Sequence, residues 1–379
     1  MLRGMKINQN KIFITILIIL ISCSSGANNQ LVPEINTQLV LEPGFEISIF
    51  AKNLDSPRQM AEGENGTIFV GERGGQIIAL RDTDNNGQAD HERVIAKNLT
   101  LSTGVSIFAG DIYFSEVSKI WKIENIENWL KTNPKDANLP DKILVTEKLP
   151  NDTWHGWKWL KHDGQGRLHL NVGAPCNVCL SDNSQYASIL RLNNDEFEHV
   201  ARGVRNSVGF AFHPKTQKLF FTDNGRDWLG DDSPSCELNR VDIDGQFFGY
   251  PFKHAKNVKD PEFGDRTSGF DFIDPILELG AHVAPTGVAF YEGSMFPPRM
   301  KNNLFIALHG SWNRSAKVGY KVIRVSFDEQ GNAIESHDFI KGWLKDGNVS
   351  GRPSAPFVMQ DGSMLISDDQ ANLIYRITF

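Results

Sequence analysis

This chain is short of positive charge, of cysteine and of long apolar runs, and each shortage removes a class of function. Its 39 Lys and Arg are outnumbered by 46 Asp and Glu, for a formal net charge of -7. With no basic patch past the N-terminus, the electrostatic footprint of a nucleic-acid-binding protein is missing. Only four cysteines occur, so the Cys176-x-x-Cys179 pair lacks further ligands at zinc spacing, and no βαβ pattern surrounds it as a thioredoxin-like motif requires. After the first two dozen residues no apolar run is long enough to span a bilayer, and the remainder reads as soluble and exported. Helical periodicity is sparse: the one candidate is the 126–131 region, followed by Pro134 and Pro140.

What is present begins with a leader. Arg3, Lys6 and Lys11 precede an apolar run over 12–21, the layout of a secretory signal. It ends in Leu20-Ile21-Ser22-Cys23, which resembles a bacterial lipobox. Residues 1–22 are thus expected to be a lipoprotein signal peptide, Cys23 the acylated first residue of the mature chain, 23–36 a tether, and 37–379 one large domain. This places the protein at the bacterial cell envelope, periplasmic or on the outer surface, with a lipid anchor as its membrane contact; an uncleaved anchor helix is the alternative. In an oxidising compartment Cys176 and Cys179 read as a local disulfide, and Cys236 bridging to one of them is the other pairing.

The domain is repetitive. A strand, turn, strand, turn, strand unit starts at Pro57 and recurs from Thr103, His155, Asn206, Thr286 and Ser354. No copy can bury its apolar face alone, whereas six sheets set radially around an axis bury them all and leave only short edges. The fold expected is all-β, a six-bladed β-propeller. The segment LVLEPGFEISIF at 39–50 lies outside the six units and is expected to pair with the C-terminal blade, closing the ring. Spacing between repeats is longest between Asn206 and Thr286, where an insertion over 252–274 offers loops on which a site can be built.

The stretch around 206–251 is the densest in chemistry. Between its second and third strand patterns, Asp227, Asp231, Asp232 and Glu237 crowd into NGRDWLGDDSPSCE. Such carboxylates suit a hard cation such as calcium, or form a solvated acidic loop. Residues just ahead of the repeat starts converge on one mouth of a propeller channel: His155, Arg205-Asn206, Ala284-Pro285-Thr286 and Gly351-Arg352, joined by His309 and Asn313-Arg314. A His, several Arg and an Asn around an axial hollow suit an anionic ligand and a substrate that loses a proton. Separately, Asp82, Asp84, Asn86 and Asp90 with Gly87 follow the start of an EF-hand loop, but Arg93 stands at the twelfth position; the readings are a structural calcium site or a hairpin turn of Asx type.

The motifs GVRNSVGFAF, DNGRDWLGDD with ELNRV, GQFFGYP, APTGVAFYEG, HGSWNR and GRPSAPFV together resemble the pyrroloquinoline quinone-dependent sugar dehydrogenases of the glucose and sorbosone type, over nearly all of 39–379. The resemblance implies oxidation of a sugar or sugar-derived aldehyde at the propeller mouth, with pyrroloquinoline quinone and calcium as cofactors and a separate electron acceptor. It implies His155 as general base, assisted by Arg205. Arg205 and Asn206 would lie beside the cofactor, Gly225 and Arg226 would offer backbone carbonyls to its calcium, and Arg352, with His309 or Arg314, would contact its carboxylates. Two other classes share the architecture: calcium-dependent lactonases of the gluconolactonase type, and a non-catalytic, lipid-anchored binding module.

Overall fold

Runs such as Ile68-Phe69-Val70 and Leu219-Phe220-Phe221 are apolar at every position because the strands that carry them are covered on both faces. In the computed structural model, which describes residues 38–266 and 269–379, Ile68–Glu72, Leu168–Val172, Leu219–Asp223, Leu304–Leu308 and Met364–Asp368 are buried throughout. Each is the second strand of an antiparallel sheet, sandwiched between the neighbouring sheets of a ring. The leader, Cys23 and the tether lie outside the described residues.

The ring has six blades, of four or five strands each. Their innermost strands are Pro57–Glu62, Val105–Phe108, Leu160–His162, Phe210–Phe212, Pro285–Phe290 and Pro353–Val358. Side by side around the axis, they wall a central channel. Where blades three and four meet, Trp159 Nε1 donates to the Phe210 carbonyl at 3.0 Å. Where blades four and five meet, the chain uses Gly209: a Cβ there would lie 1.9 Å from the Thr286 carbonyl oxygen, so no larger residue fits without moving a blade.

The N-terminal segment divides in two. Val40–Leu41 pairs with the outer strand Ala333–Lys341 of blade five, and Glu46–Lys52 pairs with Leu373–Thr378 of blade six. The expected pairing with the C-terminal blade holds for the second piece only. Pro43 and Gly44 separate the pieces; Gly44 takes a φ of 93° that a larger residue resists, and the turn carries the chain from one blade to the next. The helix Ile126–Thr132 sits between the third and fourth strands of blade two. The insertion between Ser235–Arg240 and Leu277–Ala281 in blade four sends Gln246–Phe247 across to extend blade three in parallel, and folds a ribbon from Lys253–His254 and Val258–Lys259. Phe247, Phe252 and Phe263 pack together beneath it.

Candidate functional site

Second strands of the blades run toward one end of the channel, and three of them end in an acid. Each acid accepts the backbone N–H of a residue that leads into an inner strand. Asp223 takes the amides of Arg205 and Asn206 at 2.8 and 2.6 Å, Asp368 takes that of Arg352 at 2.8 Å, and Glu72 takes that of Asp55 at 2.8 Å. A buried carboxylate that accepts backbone N–H groups is a strong, directional clamp. It fixes the segments from which the side chains of this mouth project.

The mouth holds a cavity of about 240 Å³ lined by residues that include His155, Arg205, Asn206, Asn224, Gly225 and Ala284, with Trp154 and Trp312 at its rim. Four of the surrounding residues, His155, Trp228, His282 and Ala284, have φ between 52 and 71°. Non-glycine residues in that region are uncommon and gather at functional sites. His155 Nδ1 lies 2.8 Å from the Ala174 carbonyl oxygen. That oxygen only accepts, so the proton is on Nδ1, and Nε2 carries a lone pair with no partner among the described residues. Burial, and then the Arg205 guanidinium, push the imidazole down to about 3, so it stays neutral. Beside it, Asn206 Oδ1 is buried and has no hydrogen-bond partner, an arrangement that costs free energy unless a ligand completes it.

Arg205 does not point out to solvent. Its side chain is 4% exposed; Nε and Nη2 donate to the carbonyl and Oδ1 of Asn177 at 2.9 Å each, Nη1 to the Asn224 carbonyl at 3.1 Å, and Nη2 also meets Asp227 at 3.2 Å. It contributes fixed charge to the cavity wall with its donors largely occupied.

A basic cluster continues around the same end. Arg73 stands 5.2 Å over the ring of Trp157, two residues from His155, and reaches Asp369 at 3.3 Å. Asp369 also holds Arg58 at 2.6 Å and His309 Nε2 at 2.7 Å. Arg352 donates from Nε and Nη2 to the carbonyls of His309 and Gly310, leaving Nη1 without a partner among the described residues. Arg58 Nε is buried and unpartnered. Burial and the nearby Arg58 lower His309 to about 4, and the surrounding cations hold Asp369 well below the usual carboxylate range. Two guanidinium groups on the one Asp369 carboxylate, with that of Arg352 on the neighbouring carbonyls, leave positive charge for an anionic ligand. Arg314 lies further out, on the Asp231 carbonyl and the Asp232 carboxylate.

The crowded acids of the 227–237 loop do not converge. Asp227 meets Arg205 and Asn313, Asp231 takes the Ser315 amide, Asp232 pairs with Arg314, and Glu237 accepts from the Ala255 amide and Asn239. Successive side chains of an irregular loop leave in different directions, and each finds its own donor. Among the described residues no group of three or more His, Cys, Asp or Glu is placed to hold a metal ion. The backbone offers more: the carbonyls of Gly225 and Arg226 receive no hydrogen bond from the described residues, and Gly225 lines the cavity. The Arg226 side chain turns away, to Asp260 and the Asp227 carbonyl. In the 82–90 loop, Asp82 accepts the amides of Asn86 and Gly87, Asp84 that of Asn86 in an Asx turn, and Asp90 that of Thr83. Cys176 and Cys179 are joined in a disulfide, and Cys236 is a free, buried thiol in the cavity wall that burial pushes up to about 11.

Sequence reasoning located His155, Arg205, Asn206, His309 and Arg352 but missed Arg58, Arg73, Asp369 and the three clamping acids. The acids did carry a signal, since FVGE, FFTD and LISD repeat an acid after an apolar run. The opposite end of the channel holds a larger cavity, of about 600 Å³, walled by all six inner strands; none of the residues singled out in the sequence lines it.

A family profile described as TrAA12-like matches residues 238–375. An uncharacterized protein of Borreliella burgdorferi is 36% identical over 356 residues, covering 91% of this chain and 92% of that one. A pyrroloquinoline quinone-dependent sugar dehydrogenase of Hypocrea jecorina is 23% identical over 330 residues, covering 72% and 73%. Among solved structures, the holo form of the pyranose dehydrogenase PQQ domain from Coprinopsis cinerea superimposes with a TM-score of 0.74 at 20% identity, covering 92% of this chain and 98% of that one.

Proposed function

We propose, for a chain that belongs to one family with the Borreliella burgdorferi protein and shares the propeller of the pyrroloquinoline quinone-dependent sugar dehydrogenases, that it oxidises a sugar or sugar-derived aldehyde at the His155 mouth. The observation that carries this reading is the neutral imidazole: its one free nitrogen shares a cavity with the unpartnered Asn206 Oδ1, at the end of the channel that also holds the basic cluster. When bound, pyrroloquinoline quinone supplies the acceptor for a hydride, and calcium polarises its oxygens.

The residues present fit those groups. Two backbone carbonyls without donors, from Gly225 and Arg226, suit a hard cation. Arg352, with Arg58 and Arg73, suits carboxylates, because planar guanidinium groups bind them in pairs; His309 and Arg314 are adjuncts at the same end. His155 Nε2 accepts the proton of the substrate hydroxyl as hydride leaves the carbon that bears it, so the loss of H⁺ and H⁻ gives the carbonyl; an aldehyde reacts as its hydrate, whose hydroxyl proton and carbon-bound hydride are lost in the same way to give the acid. Burial, with Arg205 second, keeps the imidazole neutral, and Arg205 adds positive charge to the wall where negative charge develops. Trp154, Trp228 and Trp312 are 53, 67 and 65% exposed, and indole faces open to water suit the C–H faces of a sugar ring. A calcium-dependent lactonase would gather axial carboxylates on its metal, and among the described residues no such group of side chains is present.

The same reading has Cys23 acylated and the domain held at the bacterial envelope, passing electrons to a separate acceptor. Labelling with a radioactive fatty acid, lost in Cys23→Ala, tests the anchor. For the reaction, full-length protein in detergent is titrated with quinone and calcium and assayed for dye reduction on a panel of aldoses and aldehydes. His155→Ala is expected to keep the cofactor and lose roughly 10²- to 10⁴-fold in kcat. Undiminished turnover in that variant would remove His155 as base, and failure of the quinone to bind would favour the binding module.

A further inference from the structure

The disulfide loop has no task in the reaction just described, yet it makes four hydrogen bonds to residues of the mouth. Asn177, inside the loop, accepts from Arg205 Nε on its carbonyl and from Arg205 Nη2 on Oδ1, both at 2.9 Å. The same Oδ1 accepts the Asp227 amide at 2.9 Å, and Nδ2 donates to the Asp227 carbonyl at 3.2 Å. One asparagine thus ties the segment ahead of the blade four inner strand to the turn that presents the Gly225 and Arg226 carbonyls. Its neighbours are anchored elsewhere. Val178 packs against Phe247, Phe252 and Phe263 of the insertion, and the Cys179 amide donates to the Tyr250 hydroxyl at 3.0 Å. The bond between Cys176 and Cys179 closes the loop three residues apart, which leaves the residues between them few conformations to choose from.

We infer that Asn177 is a positioning residue: it sets the guanidinium of Arg205 and the 224–227 turn in their places at the mouth, and the Cys176–Cys179 bond holds it there. What those groups then bind rests on the function proposed above; the linkage itself does not. Asn177 uses both acceptor sites of Oδ1 and one of its two side-chain donors on these partners, so no smaller side chain replaces it. Opening the disulfide leaves every hydrogen-bonding group in place and removes only the constraint.

Hydrogen exchange of the full chain in detergent separates the two claims. Four samples are compared: the wild type and Asn177→Ala, each as it stands and reduced with a phosphine, which takes oxygen from water as the S–S bond becomes two thiols. Exchange at residues 204–208 and 222–230 is expected to quicken by about tenfold in Asn177→Ala and in the reduced wild type, as for the loss of one or two hydrogen bonds. Reducing Asn177→Ala should add nothing further there. Unchanged exchange in Asn177→Ala, or an equal further rise when that variant is reduced, overturns the inference; should the variant not fold by circular dichroism, the reduced wild type decides alone. A parallel titration with quinone and calcium, followed by absorbance, should show binding weakened about tenfold in Asn177→Ala, and a smaller loss when Asn177→Ala is placed on Arg205→Ala, where only the bonds to Asp227 remain to be removed. A wild type that takes up no quinone sinks the proposed cofactor, while the exchange result still settles what Asn177 does.

Discussion

Burial and charge act in the same direction on His155. Both lower the pKa, to about 3, and the bond from Nδ1 to the Ala174 carbonyl selects the tautomer with a free Nε2. An imidazole with an ordinary pKa would be half protonated near pH 6.5 and would lose activity as a base below it. With the pKa depressed, the neutral form persists through that range, so kcat/KM for dye reduction is expected to show no acid limb between about pH 5 and 8 from this residue. A limb centred near pH 6.5 would mean that the ring sits in a wetter, less positive setting than the one described. His155, Arg205 and Asn206 were legible in the sequence because they stand just ahead of repeat starts, where chain order and position in the ring are locked together. Arg58, Arg73 and Asp369 were not, because their site is made by side chains meeting across the closure of the ring. Arg73 and Asp369 are 296 residues apart, and no local pattern records such a meeting.

Each of the three clamping acids couples two strands of one blade: the end of the second strand holds the entrance of the first. Asp223 is the strongest case, since its two oxygens take two successive amides, those of Arg205 and Asn206. Burial raises its pKa above the carboxylate range while those amides pull it back down. Asp223→Ala leaves two buried N–H groups without acceptors, at a cost of about 1–3 kcal/mol each. The midpoint of urea unfolding should fall accordingly, and quinone binding should weaken even in variant molecules that remain folded. Normal binding at lowered stability would show that the clamp serves the fold alone. Most elements could be read in advance, because consecutive apolar positions and turn residues recur six times. Two features could not. The break in the N-terminal segment depends on which blade each half reaches after the Pro43-Gly44 turn. The passage of Gln246–Phe247 to blade three depends on an insertion whose partners lie outside its own repeat. The acidic loop misled for a related reason: charge density in a sequence says nothing about which way each carboxylate leaves an irregular backbone.

A ring of blades has one weak seam, where the first strand in the chain must find the last. Here the N-terminal segment spans that seam and the next blade together. Glu46–Lys52 completes blade six, Val40–Leu41 lengthens blade five, and Glu42 pairs with Arg324 of blade five at 2.7 Å. At the corner sits Phe45, buried, with its ring edge-on to Phe296, Phe339 and Phe379 at 4.7, 4.9 and 5.0 Å. Removing a phenylalanine side chain from such a site costs about 3–5 kcal/mol, a large part of the total stability of a typical domain. Phe45→Ala should therefore lower the thermal midpoint markedly without touching the mouth. Deleting 38–52 should do more: it strips the partner from Leu373–Thr378 and exposes a strand edge, which recruits other chains. The expected outcome is oligomers on size exclusion, with β content retained by circular dichroism. The site would suffer with the seam, because Asp368 ends and Asp369 follows Met364–Asp368, the strand next to Leu373–Thr378, and together they hold Arg352, Arg58, Arg73 and His309. If instead the 38–52 deletion stayed monomeric and bound quinone as the intact chain does, the seam would be closed by something other than these strands.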